Sequence, residues 1–232
     1  HSVIGDGGGG PVGFTPTAAV PLYGRSADNL RDHRHVTSLL HRARCVDNGV
    51  ILRPTWSFDE RGHLPNRNSY FVLGMDGSGA APREFCTDRL GYTGEGGSLL
   101  WPEWVVDERP GVLPGAELEG RETVGALRFA PVTLEPGEEA EFWLLIGMAR
   151  DGAEPVLPSV AELSCSLDET RLWWREASPL RFESGRRDLD LPLPWVGVHP
   201  GLRPISGCSF LPHPDHAPGR PRPPPPSSAR PA

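Results

Sequence analysis

The stretch Gly125–Met148, GALRFAPVTLEPGEEAEFWLLIGM, decides the fold. Leu127, Phe129 and Pro131 face one way and Arg128 and Ala130 the other, because successive residues of an extended chain point to opposite sides. Leu134-Glu-Pro-Gly-Glu-Glu139 places Pro and Gly where a turn needs them. Ala140, Phe142, Leu144 and Ile146 then alternate with Glu141, Trp143 and Leu145. A helix through Trp143 would need a 3.6-residue period, and the acids sit badly for one. The apolar content of both faces predicts that both are covered, as in a sandwich.

The same pattern extends upstream. Val50-Ile51-Leu52, Trp56 and Phe58 have strand character, and Asn48-Gly49 reads as the turn that separates them from Cys45-Val46. Tyr70–Gly74 is a short strand ending in a second turn pair, Asp76-Gly77. Gly91–Gly97 is a loop with four glycines, and Trp101, Trp104, Val105 and Val106 follow it. The pattern changes at Asp151-Gly152. Ser159–Glu176 is expected to be helical, with Ser166 and Glu169 as a capping box and Pro179 as its end. From 188 to 205 the apolar content wants to be helical, but Pro192, Pro194, Pro200 and Pro204 forbid a regular helix.

These readings give four segments. Residues 1–20 are a flexible Gly-rich lead-in, 21–150 a β-sandwich domain, 151–212 linker helices, and 213–232 a disordered Pro-rich tail. The fold class is mainly β: an antiparallel β-sandwich followed by helical linker segments.

Composition narrows the function classes. The 232 residues carry 30 acids against 23 bases, a net charge of −7, which argues against a nucleic-acid partner. No apolar run reaches the roughly 20 residues that span a bilayer, and no basic-then-apolar leader opens the chain. No membrane partner and a cytoplasmic location are therefore expected. Cys45, Cys86, Cys165 and Cys208 lie more than 40 positions apart, without the spacing of a zinc knuckle or a CxxC site. They are expected to act as small buried hydrophobes. The glycine clusters fit neither GxxxxGK[ST] nor GxGxxG, and there is no GxSxG or HExxH.

Several motifs in order carry a family resemblance. Leu22–Arg42 (LYGRSADNLRDHRHVTSLLHR), Pro54–His63 (PTWSFDERGH), Gly94-Glu-Gly-Gly97 and Gly125–Phe129 resemble the glycoside phosphorylases of the cellobiose phosphorylase group, glycoside hydrolase family 94. The resemblance is strongest to members related to β-1,2-oligoglucan phosphorylases and cyclic β-1,2-glucan synthases. Trp174-Arg-Glu176, Ser178–Glu183, Asp188, Asp190, Trp195 and Gly207–Pro212 follow in the same order.

The resemblance implies a galactose mutarotase-like supersandwich joined by linker helices to a catalytic (α/α)6 barrel. It implies inorganic phosphate as co-substrate in the intact enzyme and no other cofactor. It also implies two partners, a β-linked oligosaccharide and the barrel. The barrel's Arg-Asp-x-x-Gln-Asp sugar-gripping segment has no counterpart here, and no catalytic residue is assigned. Prolines surround Trp195, and Pro214-Asp-His-Ala-Pro-Gly219 stands where relatives have Phe-Asp-Tyr-Gly-Arg-Gly. The chain is therefore expected to be the leading part of such an enzyme, truncated before its barrel. A stand-alone carbohydrate-binding module is the alternative.

Three groups are candidate contacts for substrate or for a domain interface. Arg31, Asp32, His33, Arg34 and His35 offer multiple donors suited to hydroxyl-rich ligands. They also suit a satisfied polar corner, or a metal were a third ligand at hand, and no metal site is assigned. Arg61 stands beside Asp59 and Glu60, whose carboxylates point to opposite faces of a strand and make a poor acid–base pair. Trp101 and Trp104, beside the glycine loop, are expected to be exposed and able to stack on a sugar.

Overall fold

The computed structural model describes residues 2–4, 10–24, 36–59, 62–177, 183–190, 192, 204–205 and 208–209. Its elements are β1 (Ser2–Ile4), β2 (Val12–Phe14), β3 (Thr17–Leu22), β4 (His41–Val46), β5 (Gly49–Pro54), β6 (Trp56–Asp59), β7 (Gly62–Pro65), β8 (Ser69–Asp76) and β9 (Glu84–Asp88). Two short helices, α1 (Arg89–Thr93) and α2 (Glu103–Val106), precede β10 (Glu117–Glu119), β11 (Thr123–Arg128), β12 (Val132–Leu134) and β13 (Glu139–Ala149). Then come α3 (Val160–Ala177), α4 (Arg187–Asp190), β14 (Pro204–Ile205) and β15 (Cys208–Ser209). The chain forms two compact units, His1–Ala161 and Glu162–Ala232. Among the described residues no helix is long and apolar enough to cross a membrane.

The first unit is an antiparallel sandwich. Six strands run in the order β1-β13-β8-β5-β4-β10, and three in the order β3-β11-β9. Between the sheets lie Ala43, Cys45, Val50, Leu52 and Val72 from the larger one and Leu22, Phe85 and Leu127 from the smaller. The outer faces are covered too. Ile51, Phe71 and Leu73 point away from that core and meet Val46, Leu145, Ala149 and Leu157. On the outer side of the small sheet, Val124 and Ala126 pack with Tyr92 of α1 and Trp104 of α2. Burial on both faces is why β5 and β8 read as continuous apolar runs rather than as alternations.

Glycines mark the closest approaches. A Cβ on Gly125 would lie 2.0 Å from Val72 Cγ1, where the two sheets meet. A Cβ on Gly49 would lie 2.1 Å from the Val72 carbonyl oxygen. Gly49 therefore serves packing. The β4–β5 loop is Asp47-Asn48, one residue earlier than the expected Asn48-Gly49, because Val46 pairs with Gly49. Asp76 does build the expected second turn. Its Oδ1 accepts from Ser78 N, Ser78 Oγ and Ala80 N, and these bonds hold its carboxyl below the usual range.

Four expectations need correction. Residues 1–20 are not all a lead-in, since β2 pairs with β12 and β3 pairs with β11 in full register from Thr17↔Arg128 to Leu22↔Thr123. Pro21 fits there because β3 is an edge strand. The glycine loop starts later than Gly91, which is helical in α1. Ser166 is no cap: it lies inside α3, where its hydroxyl donates to the Glu162 carbonyl. Finally, only part of the Phe142 face of β13 is covered. Phe142 is buried against Phe129, but Leu144, Ile146 and Met148 on the same side are exposed. Strands stand about 5 Å apart, so a three-stranded sheet cannot shield the whole width of a six-stranded one.

Candidate functional site

A cleft in the sandwich unit lies over the helical cover of the small sheet. It encloses about 840 Å³ and is walled by three separate segments: Asp88–Leu90 with Thr93, Gly97–Leu99, and Arg121-Glu122. Each wall has a local cause. Asp88 ends β9 with extended backbone and caps α1 by accepting from Leu90 N. Gly94 closes α1 with φ 75°, a conformation glycine adopts without steric cost. A Cβ on Gly94 would also run into the Glu103 carboxylate, and one on Gly97 would lie 1.8 Å from the Thr93 carbonyl oxygen. Glu103 holds the loop further by accepting from Gly96 N and pairing with Arg109.

Charge in the cleft is paired. Arg89 Nη1 lies 2.6 Å from Glu122 Oε2 and also bonds the Tyr23 hydroxyl at 3.0 Å. Arg121 Nη1 lies 2.9 Å from Asp88 Oδ2. The Thr93 and Ser98 hydroxyls add neutral polar groups. Leu90, Leu99 and Leu100 are exposed close by in the chain, Leu100 by 94 %.

The two tryptophans expected at the surface part company. Trp101 is 69 % exposed, and its backbone bonds Ser98 in both directions. Trp104 is only 2 % exposed, which corrects that half of the expectation. Its ring lies 5.9 Å from Tyr92 and 3.8 Å from the Arg128 guanidinium carbon, and its Nε1 donates to the Pro110 carbonyl. The helical turn of α2 places Trp104 inward over Val124 and Ala126, and leaves it no face for a sugar. Arg31, Asp32, His33, Arg34, His35 and Arg61 lie outside the described residues. Asp59 is backbone-paired with Gly62 across the β6–β7 hairpin.

A hydrolase or mutarotase built on the sandwich would need a histidine and a carboxylate meeting in an open pocket. Among the described residues His41 is a histidine to test against that requirement, because the charge of Glu122 acts on it. It is nevertheless 1 % exposed. Its Nδ1 lies 3.3 Å from Thr123 Oγ1, and Nε2 is buried without a hydrogen-bond partner. Burial pushes its pKa down to about 4, against the opposing pull of the Arg121 backbone and Glu122. A sealed, neutral imidazole cannot exchange protons with a bound substrate.

The thiols of Cys45 and Cys86 are equally unsuited to nucleophilic work. Burial raises Cys45 to about 12 and Cys86 to about 11. Cys165 is exposed on α3, against the expectation that the cysteines are buried. Among the described residues no three His, Cys, Asp or Glu side chains gather as metal ligands.

Two other hollows are structural. One of about 620 Å³ borders Arg128, whose donors are taken by Glu84 and by the carbonyls of Arg109 and Trp104. One of about 190 Å³ lies among Arg42, Arg44 and Arg53. Arg42 and Arg53 sit directly opposite each other on β4 and β5. Glu119 pairs with Arg42, and Glu154 with both Arg44 and Arg53, which relieves the like-charge contact.

The fold is a mainly-β antiparallel sandwich with a helical cover. Residues 20–164, more than half of the chain, match the family model of the glycosyl hydrolase 94 supersandwich domain, and the chain belongs to that family. No curated protein sequence matches it.

The residues of the cleft, Asp88, Arg89, Arg121 and Glu122, were missed by sequence reasoning. Asp88 alone carried a signal, as a capping residue at a strand-to-helix junction. Nothing in the sequence pairs position 89 with 122.

Proposed function

We propose that this chain supplies the non-catalytic sandwich of an inverting glycoside phosphorylase acting on β-linked glucosides, with structural and sugar-contacting roles. The active site would lie in an (α/α)6 barrel outside these 232 residues. There a protonated aspartate would give its proton to the departing glycosidic oxygen. Phosphate would attack the anomeric carbon from the opposite face and form an α-sugar 1-phosphate.

The family match over residues 20–164 carries this reading. The burial of His41 away from solvent supports the non-catalytic part of it. Incubation of the purified chain with β-1,2-gluco-oligosaccharide and inorganic phosphate is expected to release no α-glucose 1-phosphate. Addition of the chain to a glycoside phosphorylase barrel stripped of its own sandwich is expected to restore turnover. Turnover by the chain alone would overturn the reading. The exposed indole of Trp101 favours a second reading, a carbohydrate-binding module that acts on its own.

A further inference from the structure

We propose that the open edge of β13 pairs antiparallel with the β13 edge of a second copy of this chain, joining the two six-stranded sheets across a twofold axis at Ile146. Only the sandwich unit takes part, and the pairing does not depend on the phosphorylase reading.

Backbone geometry comes first. β13 pairs with β8 along Phe142–Ala149, but on its other side β1 covers only Glu139–Glu141. Successive residues of a strand direct their backbone groups to opposite sides. The Glu141 carbonyl accepts from Gly77 N, on the β8 side, so Trp143, Leu145 and Gly147 direct their groups to β8 as well. Leu144, Ile146 and Met148 direct theirs away from it, and among the described residues no strand meets them there. Their side chains are exposed too, Ile146 by 58 %. The other sheet edges are guarded. β10 is three residues long and carries Glu117 and Glu119, β3 carries Pro21, and β9 carries Glu84 and Asp88. Phe142–Ala149 holds no charge and no proline, and an unguarded row of this kind is a template for another strand.

Register identifies the occupant. Two residues of an antiparallel pair exchange backbone bonds only if both direct those groups across the gap. One twofold register engages all three open residues: Leu144 with the partner's Met148, Ile146 with the partner's Ile146, and Met148 with the partner's Leu144. Each side chain on that face then meets an apolar one. On the opposite face the same register sets Trp143 against the partner's Ala149 and Leu145 against the partner's Gly147, so a large side chain meets a small one each time. The slot is also closed at both ends. β1 occupies one at Glu141, and the chain turns away at the other, where Asp151 and Gly152 have φ 54° and 80°. Trp143–Ala149 remains between them, and the axis through Ile146 bisects it. A closed twofold uses the same edge on both copies and leaves none of it open for further growth.

Sedimentation velocity of the 232-residue chain from about 1 to 500 µM is expected to show a monomer–dimer equilibrium, because an edge pairing of this length falls at the small, transient end of protein interfaces. Ile146→Lys sets two like charges against each other at the axis and is expected to weaken association more than about tenfold. Because Ile146 is exposed, the melting temperature of this variant at low concentration should match the parent's. Ile146→Cys keeps the test open if the lysine variant misfolds. Facing residues of such a pair stand about 5.5 Å apart at Cα, within disulfide reach, so oxidation with diamide is expected to give a dimer linked through position 146, identified by mass spectrometry of the linked peptide. A chain that stays monomeric throughout overturns the pairing. So does an Ile146→Lys variant that dimerises like the parent, a position 146 that stays unlinked, or assembly that continues past the dimer.

Discussion

The sandwich interior and helix α3 differ in what holds them. Val50, Ile51 and Leu52 of β5 are all buried, and their neighbours come from β4, β8 and β11. Helix α3 carries many contacts within itself. Ser166 and Thr170 back-bond to carbonyls four residues earlier, Arg171 pairs with Asp168, and Trp173 stacks edge-on against Trp174 at 5.0 Å. Leu167, Leu172 and Trp173 remain exposed. A helix closes its hydrogen bonds within a few residues, whereas a strand closes them only with distant chain. A change in the sandwich should therefore spread through its partners, and a change on α3 should stay local.

The largest effect is expected at Trp104. Trp104→Ala opens a cavity beside Tyr92 and unstacks Arg128, and should cost about 3–5 kcal/mol. Trp101→Ala, three residues away but exposed, should stay within about 0.5 kcal/mol. Urea unfolding of both variants checks the pair, and equal losses would break the contrast.

His41 comes next. Its folded pKa, about 4, lies below the usual 6.5. Above pH 6.5 both folded and unfolded chains carry a neutral imidazole, and the full stability is present. Between pH 6.5 and 4 the unfolded chain binds a proton that the folded one refuses, so stability falls by about 3 kcal/mol and then levels off. Proton NMR of the His41 ring across this window tests the account, and titration near 6.5 would contradict it.

The smallest effect is expected on α3. Leu172 is 54 % exposed, and Leu172→Ala exchanges one good helix former for another, so the change should be within about 0.5 kcal/mol. Far-ultraviolet circular dichroism with thermal melting would reveal a larger loss, which would mean that α3 has partners of its own.

Legibility in the sequence followed the range of the interaction. The turn at Glu135–Glu138 closes as read, with Glu138 N bonding Glu135 O and Gly137 at φ 87°. The helix expected over Ser159–Glu176 spans Val160–Ala177. The β13 alternation was legible too, but the exposure of Leu144, Ile146 and Met148 was not, because it depends on how far the opposing sheet reaches. Trp101 and Trp104 looked alike in the chain. Only the turn of α2, which carries one of them onto Val124 and Ala126, separated them.

The sequence by itself determined the period of each element, the antiparallel β class and the family, since these rest on residues within a few positions or on motif order. The tertiary structure alone decided that Arg89 meets Glu122, that Asp88 meets Arg121, and that His41 is sealed from solvent. Ion pairing and desolvation depend on distance through space, and residues some 30 or 80 positions apart come within bonding range only when two sheets and their helical cover have packed.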